Sequence, residues 1–172
     1  MSVTVLAAAL ALTGADPAPA MSFSESVSEA VFETCSSLIA GELSLKDPAA
    51  VKKLGFKPAG EIENPRFGKI LIVSRSSADG VLAIGAGEQA FCQVQFEGKT
   101  GAAALEAIRT EVLLPENGYK LDPKNNRASD GIAIETYKKP LQPGAVTYVQ
   151  LMSAKQPGPY PHLIVQLMVM EE

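Results

Sequence analysis

The chain has 172 residues, with 15 Lys and Arg against 19 Asp and Glu, and a formal net charge of −4. This mild acidity, with basic residues scattered along the chain, argues against a nucleic-acid-binding protein and against attachment to an anionic membrane surface. One histidine, two cysteines and no tryptophan leave few groups for metal or cofactor chemistry, so no cofactor and no metal site are predicted. The length suits a single domain with its own core.

Residues 1–20 have the pattern of an export signal. An apolar run from Val3 to Leu12 precedes Gly14 and Pro17, and Ala18-Pro19-Ala20 has small residues at the spacing that signal peptidase accepts. The run is about ten residues long, whereas a membrane-spanning helix needs about twenty. We therefore predict a signal peptide over 1–20, one domain over 21–172, an exported location (periplasmic or extracellular), and no transmembrane segment in the mature chain.

The mature chain begins with a helical pattern. Ser22 and Glu25 have the spacing of a capping box, and apolar residues recur every three or four positions as far as Ile39, before Gly41. A shorter helix is predicted between Asp47 and Gly55, and a third over residues 101–114.

Elsewhere the hydrophobic period is two, which is typical of strands. Strands are predicted over 69–74, 81–85, 91–97, 132–138, 145–153 and 163–170, and residues 57–68 are predicted to form a loop. Consecutive strands joined by short turns are antiparallel. The sequence thus predicts an α+β fold of order ααβββαβββ, with a single antiparallel β-sheet of about six strands and helices packed on one face.

The two cysteines are expected to meet between the first helix and the sheet. Cys35 lies on the apolar stripe of the helix, and Cys92 shares a strand face with Val94 and Phe96. In an exported protein this arrangement favours a disulfide. The alternative is two buried thiols that act as small hydrophobic side chains. A redox-active role is not expected, because the spacing differs from Cys-x-x-Cys.

Few residues suggest catalysis, and we lean against an enzyme. His162 is the one histidine, and the sequence shows no partner for it at the start of the last strand. Strand alternation places Glu135 with Tyr137, and with Tyr148 of the next strand, so a Glu–Tyr acid/base couple is one hypothesis. The other is a solvated strand face.

Two glycine patterns imitate nucleotide-binding motifs. Residues 85–90 fit a loose dinucleotide fingerprint but lead into a strand, where the amides would not point at a pyrophosphate. Gly98-Lys99-Thr100 looks like the end of a phosphate loop, but the required upstream glycine falls at Gln93. What remains is the hypothesis that Lys99, Thr100 and the amides that begin the third helix hold an anion.

Alternate residues of the strands form an outer face that is rich in Gln, Met and aromatic side chains and poor in charge. Such side chains suit a partner interface or a shallow apolar ligand site. The alternative is that the second helix or residues 57–68 cover this face and make it a second small core. The predicted binding face comprises Phe91, Gln93, Gln95, Glu135, Tyr148, Gln150, Met152, Gln166 and Met168.

Together these patterns favour an exported, noncatalytic binding or accessory module held by one disulfide. Its expected partner is another protein or a second copy of the chain, bound at the outer face. The alternative is a small pocket-containing enzyme, or a small-ligand-binding protein, of a cone-like α+β fold. Nucleic acid is not an expected partner.

Overall fold

The computed structural model describes residues 21–88, 90–142, 144–155 and 159–171. The predicted signal peptide lies outside these residues. Helix α1 is α-helical over Phe23–Glu29, π-helical over Ala30–Thr34 and α-helical again over Cys35–Ile39. Helix α2 spans Pro48–Lys53 and helix α3 spans Gly101–Val112.

The helix ends follow the predicted sequence signals. The amide of Ser22 donates to Glu25 Oε2 at 2.7 Å and the amide of Glu25 donates to Ser22 Oγ at 3.2 Å, which confirms the capping box. Asp47 Oδ1 accepts a hydrogen bond from the amide of Ala49 at 2.9 Å and so caps α2. Gly41 follows α1 with φ of +75°, a conformation that glycine adopts without steric cost.

Nine antiparallel strands of the described residues form one sheet, which confirms the α+β class and all six predicted strands. The hydrogen-bonded order is β1-β2-β3-β4-β9-β8-β7-β5, and β6 also pairs with β7. Their bounds are β1 Lys57–Asn64, β2 Gly68–Ser77, β3 Gly80–Ala86, β4 Phe91–Gly98, β5 Lys120–Leu121, β6 Arg127–Ser129, β7 Ile132–Gln142, β8 Ala145–Ala154 and β9 His162–Glu171.

The prediction of a loop over residues 57–68 was wrong, because most of this segment is strand β1. The side chains of β1 are mostly exposed, and its sequence has no alternating row of apolar residues by which a strand could be recognised. Pro58 lies at an irregularity of this edge strand, between Pro58 and Gly60, where a missing amide donor is tolerated. The turn at residues 65–67 then leads into β2.

The two edges of the sheet are protected differently. On one side, β5 and β6 pair with successive parts of β7 and satisfy its outer hydrogen-bonding groups. On the other side β1 is the edge, and its proline, its bulge and the charges of Glu61 and Glu63 discourage pairing with a further strand. Neither edge therefore favours recognition by strand addition, which leaves the faces of the sheet.

The main core lies between the helices and one face of the sheet, which we call the inner face. Cys35 of α1 and Cys92 of β4 are fully buried there and form a disulfide, with 5.5 Å between their Cα atoms. This confirms the predicted bridge. The amide of Cys35 donates to the carbonyl of Ala30, five residues earlier, as in a π-helix. The π-helical turn therefore ends at the cysteine that forms the bridge.

A pair of glycines fixes the start of α1 against the sheet. Gly80 of β3 pairs directly with Gly98 of β4. The ring of Phe23 packs on this pair so closely that a Cβ added at Gly80 would lie 2.8 Å from Phe23 Cζ. Any larger residue at these positions would push the helix away from the strands.

Candidate functional site

Strand pairing places eight of the nine predicted binding-face residues on the outer face of the sheet, opposite the helices. Gln93 pairs with Gln166, and Gln166 pairs with Gln150, so their side chains point to the same side. Binding at this face stays a prediction. The eight residues are Phe91, Gln93, Gln95, Tyr148, Gln150, Met152, Gln166 and Met168.

The ninth residue, Glu135, was placed on the wrong face. It pairs with Leu151 and lies on the inner face, together with Tyr137. A bulge between Pro140 and Gln142 inserts one residue before the turn into β8. An extra residue reverses the alternation of every position counted across the turn, and the hydrophobic pattern does not reveal it.

Glu135 is held in an ion pair on the inner face. Arg109 of α3 donates from Nε to Glu135 Oε2 at 2.8 Å and from Nη2 to Oε1 at 3.2 Å, and it also pairs with Glu106. The hydroxyl of Tyr137 donates to Glu135 Oε2 at 2.9 Å. The arrangement joins α3 to β7 and leaves Glu135 poorly suited to acid/base chemistry.

The surroundings shift the pKa of Glu135 and the pKa of Tyr137. Burial acts to raise the pKa of Glu135, but the hydrogen bonds from Arg109 and Tyr137 and the positive charge of Arg109 outweigh it, so the pKa lies below its usual value. Burial, followed by the bond to Glu135, raises the pKa of Tyr137. The ionised carboxylate and the protonated phenol are therefore the favoured forms.

We predict that Glu135→Gln lowers the free energy of unfolding by about 1 kcal/mol at neutral pH. The loss is small because solvent screens a partly exposed ion pair. A carboxylate with a lowered pKa stabilises the fold above its unfolded pKa of about 4.3, and this stabilisation is lost as the pH falls through the lower folded value. Urea unfolding of both proteins between pH 7 and 3 should show the difference shrinking below about pH 4. A difference independent of pH would contradict the ion pair.

A row of amide side chains crosses the outer face. Gln166 Nε2 donates to Gln93 Oε1 at 3.2 Å, and Gln150 Nε2 donates to Thr136 Oγ1 at 3.1 Å. Gly85 lies beside Gln93, and a Cβ there would come within 3.1 Å of Gln93 Cγ, so the glycine leaves room for the amide. Gln93 and Thr136 are buried, and their hydrogen bonds offset the cost of removing them from water. This amide row divides the outer face into two halves.

One half of the outer face is covered. Phe67, in the turn between β1 and β2, stacks on Phe91 with 4.1 Å between ring centroids. Ile70, Phe91 and Met168 form a small buried cluster beneath it. Arg66 Nη2 also donates to Met170 Sδ at 2.9 Å. The alternative in which residues 57–68 cover the face therefore holds for this half, whereas α2 packs on the inner side through Val51.

The other half is open. Seven uncharged side chains there are exposed or only partly buried, and Ile132 and Val81 are about half exposed, at 50% and 49%. Glu97 and Arg127 flank this group as the strand partners of Val81 and Ile134. An uncharged group of this kind on a folded domain is typical of a contact surface. We call it the open patch, and it consists of Val81, Ala83, Gln95, Ile132, Ile134, Met152 and Ile164.

The remaining predicted sites gain no support. His162 begins β9 paired with Ala154, without a hydrogen bond to any other described side chain. The amide of Lys99 donates to the carbonyl of Asp79, so it is not available to an anion at the start of α3. Gly87 donates to Phe91 within the β3–β4 hairpin, as expected for a turn rather than a dinucleotide loop. Among the described residues, no cluster of three or more His, Cys, Asp or Glu could hold a metal ion.

Sequence reasoning missed a groove on the helical side. It lies between α1, α2 and β2 and has a volume of about 740 Å³. Its signal was Arg75, which follows Leu71 and Val73 on the inward line of β2, where a charged residue is unusual. We call it the α1–α2 groove, and its lining includes Ala30, Thr34, Leu43, Leu54, Phe56 and Arg75.

Comparison with protein-family models, with curated proteins and with solved structures finds no match to this chain. Within the residues that the structure describes, no helix has the length and apolar character needed to cross a lipid bilayer.

Proposed function

We propose that the protein is a noncatalytic binding module of an oxidising compartment, exported by its N-terminal segment, and that the open patch is its contact surface for protein. The observation that carries this proposal is the open patch itself, an uncharged and largely apolar surface beside a hydrogen-bonded amide row. The noncatalytic assignment is supported by the hydrogen bonds that Glu135 accepts from Arg109 and from Tyr137. The buried disulfide supports the compartment.

The partner that we propose is a second copy of the chain. A chain with a net charge of −4 repels its own copies, so an uncharged patch is the surface on which two copies approach at least cost. The amide of Gln95 both donates and accepts hydrogen bonds, which suits a two-fold interface in which the same patch meets itself.

The size of the surface indicates a weak dimer. The open patch crosses five strands about 4.8 Å apart and extends over about three residues along them, each with a rise of about 3.3 Å, which gives a projected area of roughly 240 Å². A standard interface buries about 800 Å² on each partner, so transient association is expected.

We predict that the protein forms a concentration-dependent dimer and that Ile132→Asp abolishes it, because a carboxylate would be buried without a partner. Sedimentation velocity over a range of about 10 μM to 1 mM measures the association, since weak complexes have Kd values of this order. Substitution of Met168 is unsuitable, because this residue is buried and its loss would disturb the fold.

Ile62→Asp is the matched control. Ile62 is 47% exposed in edge strand β1, against 50% for Ile132, and lies outside the open patch. Dimerisation should persist in this variant. A wild-type protein that stays monomeric throughout, or a dimer that both variants weaken equally, would overturn the proposal.

A further inference from the structure

Arg75 is a half-buried cation without an acidic partner. Its Nη1 donates to the carbonyl of Leu54 at 3.3 Å, and its guanidinium lies over the ring of Phe56, 4.7 Å from the centroid. No ion pair to Arg75 occurs among the described residues. The stacking fixes the plane of the guanidinium while most of its five N–H donors remain available.

Arg75 borders open space on two sides. Arg75 lines the α1–α2 groove and also a neighbouring groove of about 250 Å³, and Ser26 lines both. An unpaired cation at the junction of two grooves is well placed to hold an anion, because a partly desolvated site strengthens the attraction between opposite charges.

About half of the other residues that line the α1–α2 groove are apolar. Ala30 and Phe56 are buried at its floor, and Leu43 and Leu54 are partly buried along its sides. The π-helical turn supplies Ala30 and Thr34, and such turns occur frequently at functional sites. The disulfide at Cys35 holds the end of this turn against β4. A volume of about 740 Å³ lies within the usual range for small-ligand sites, about 300–1,000 Å³.

We propose that the α1–α2 groove binds an amphipathic carboxylate, an alkyl chain that ends in one carboxyl group, with Arg75 as the carboxylate anchor. A guanidinium fork matches the two oxygens of a carboxylate. The apolar lining takes the alkyl chain.

The acids of the groove argue for a single negative charge on the ligand. Asp47 is engaged with the amide of Ala49 at the rim, whereas Glu29 is partly buried and lines the same groove. Two cations, Arg75 and Lys53, face these two acids across the lining, so the groove is close to neutral and favours a monoanion over a phosphate dianion.

The test uses decanoate and, as its uncharged counterpart, decanol. Titrations of the purified protein followed by amide chemical shifts should show decanoate perturbing residues around Ala30, Thr34 and Leu54. Arg75→Gln should weaken decanoate binding roughly tenfold or more, because a charged hydrogen bond is lost. Decanol binding should change by less than about twofold, since it depends on apolar burial alone.

Two further variants keep the test decisive. Glu29→Gln should strengthen decanoate binding and Arg75→Lys should retain part of it, so a failure of Arg75→Gln to fold would not end the test. Ile132→Asp, on the opposite face of the sheet, should leave decanoate binding unchanged, which separates this site from the proposed dimer. Equal binding of decanoate and decanol, shifts that map elsewhere, or no binding up to about millimolar concentration would overturn the proposal.

Discussion

Replacing both cysteines by alanine, Cys35→Ala with Cys92→Ala, should lower the free energy of unfolding by about 4 kcal/mol. The bridge joins residues 57 positions apart, and closing a loop of this length removes about that much chain entropy, expressed as free energy, from the unfolded state. A domain has only about 5–15 kcal/mol in total. Urea unfolding should show the midpoint falling by roughly 2 M, given a slope of about 2 kcal/mol per molar urea.

Reduction of the wild-type protein is the internal control. A strong reductant should bring its urea midpoint close to that of the double variant and should leave the double variant unchanged. If the oxidised wild type and the double variant unfolded at the same urea concentration, the bridge would not be a main source of stability.

Phe96→Ala should cost about 3–5 kcal/mol, the range for removing a buried aromatic side chain from a core. Phe96 lies on the inner face of β4, is 1% exposed, and pairs with Leu82 and Leu163 on the neighbouring strands. The cavity would open beneath α3, because the ring also approaches Gly101 at the start of this helix. Thermal and urea unfolding both measure the loss.

The matched control is Phe67→Ala on the outer face. Phe67 is partly buried and stacks on Phe91 alone within a small cluster, so its loss should cost about 1–2 kcal/mol. Similar losses of unfolding free energy in the two variants would mean that the two faces of the sheet contribute equally to stability. This would contradict a main core on the inner face and a small cluster on the outer face.

The long, strongly periodic elements could be predicted from the sequence, because their signals are local. The capping box at Ser22, the cap at Asp47 and the stop at Gly41 each involve contacts within a few residues. The disulfide could be predicted as well, since one helical stripe and one strand face were enough to place both sulfur atoms between the same two layers.

The errors occurred where the fold depends on how neighbouring strands pair rather than on the pattern within one strand. β1 is an exposed edge strand that is stabilised by pairing with β2, and its own sequence has no alternating row of apolar residues. Glu135 was assigned to the outer face because a single bulged residue, Leu141, reverses the count across the turn into β8. A bulge changes the pairing without changing the hydrophobic pattern, so periodicity cannot detect it.

The candidate sites, too, could be predicted only in part from the sequence. Alternation alone assigned Gln93, Gln150 and Gln166 to one face, but whether that face is open depends on where distant segments fold. The structure shows that Phe67 covers one half and leaves the other exposed. The sequence marked Arg75 as an unusual inward-facing charge, but the groove beside it could not be predicted, because its walls come from α1, α2 and β2.

The α+β class, the antiparallel strands and the pairing of Cys35 with Cys92 follow from the sequence alone, because local spacing and composition are enough to predict them. The three-dimensional arrangement adds which part of the outer face is exposed and that Glu135 pairs with Arg109. It also shows that Arg75 lies in a groove with no acidic partner among the described residues. Exposure and charge pairing depend on which distant segments come together, and that is set by packing and strand register rather than by the order of residues along one element.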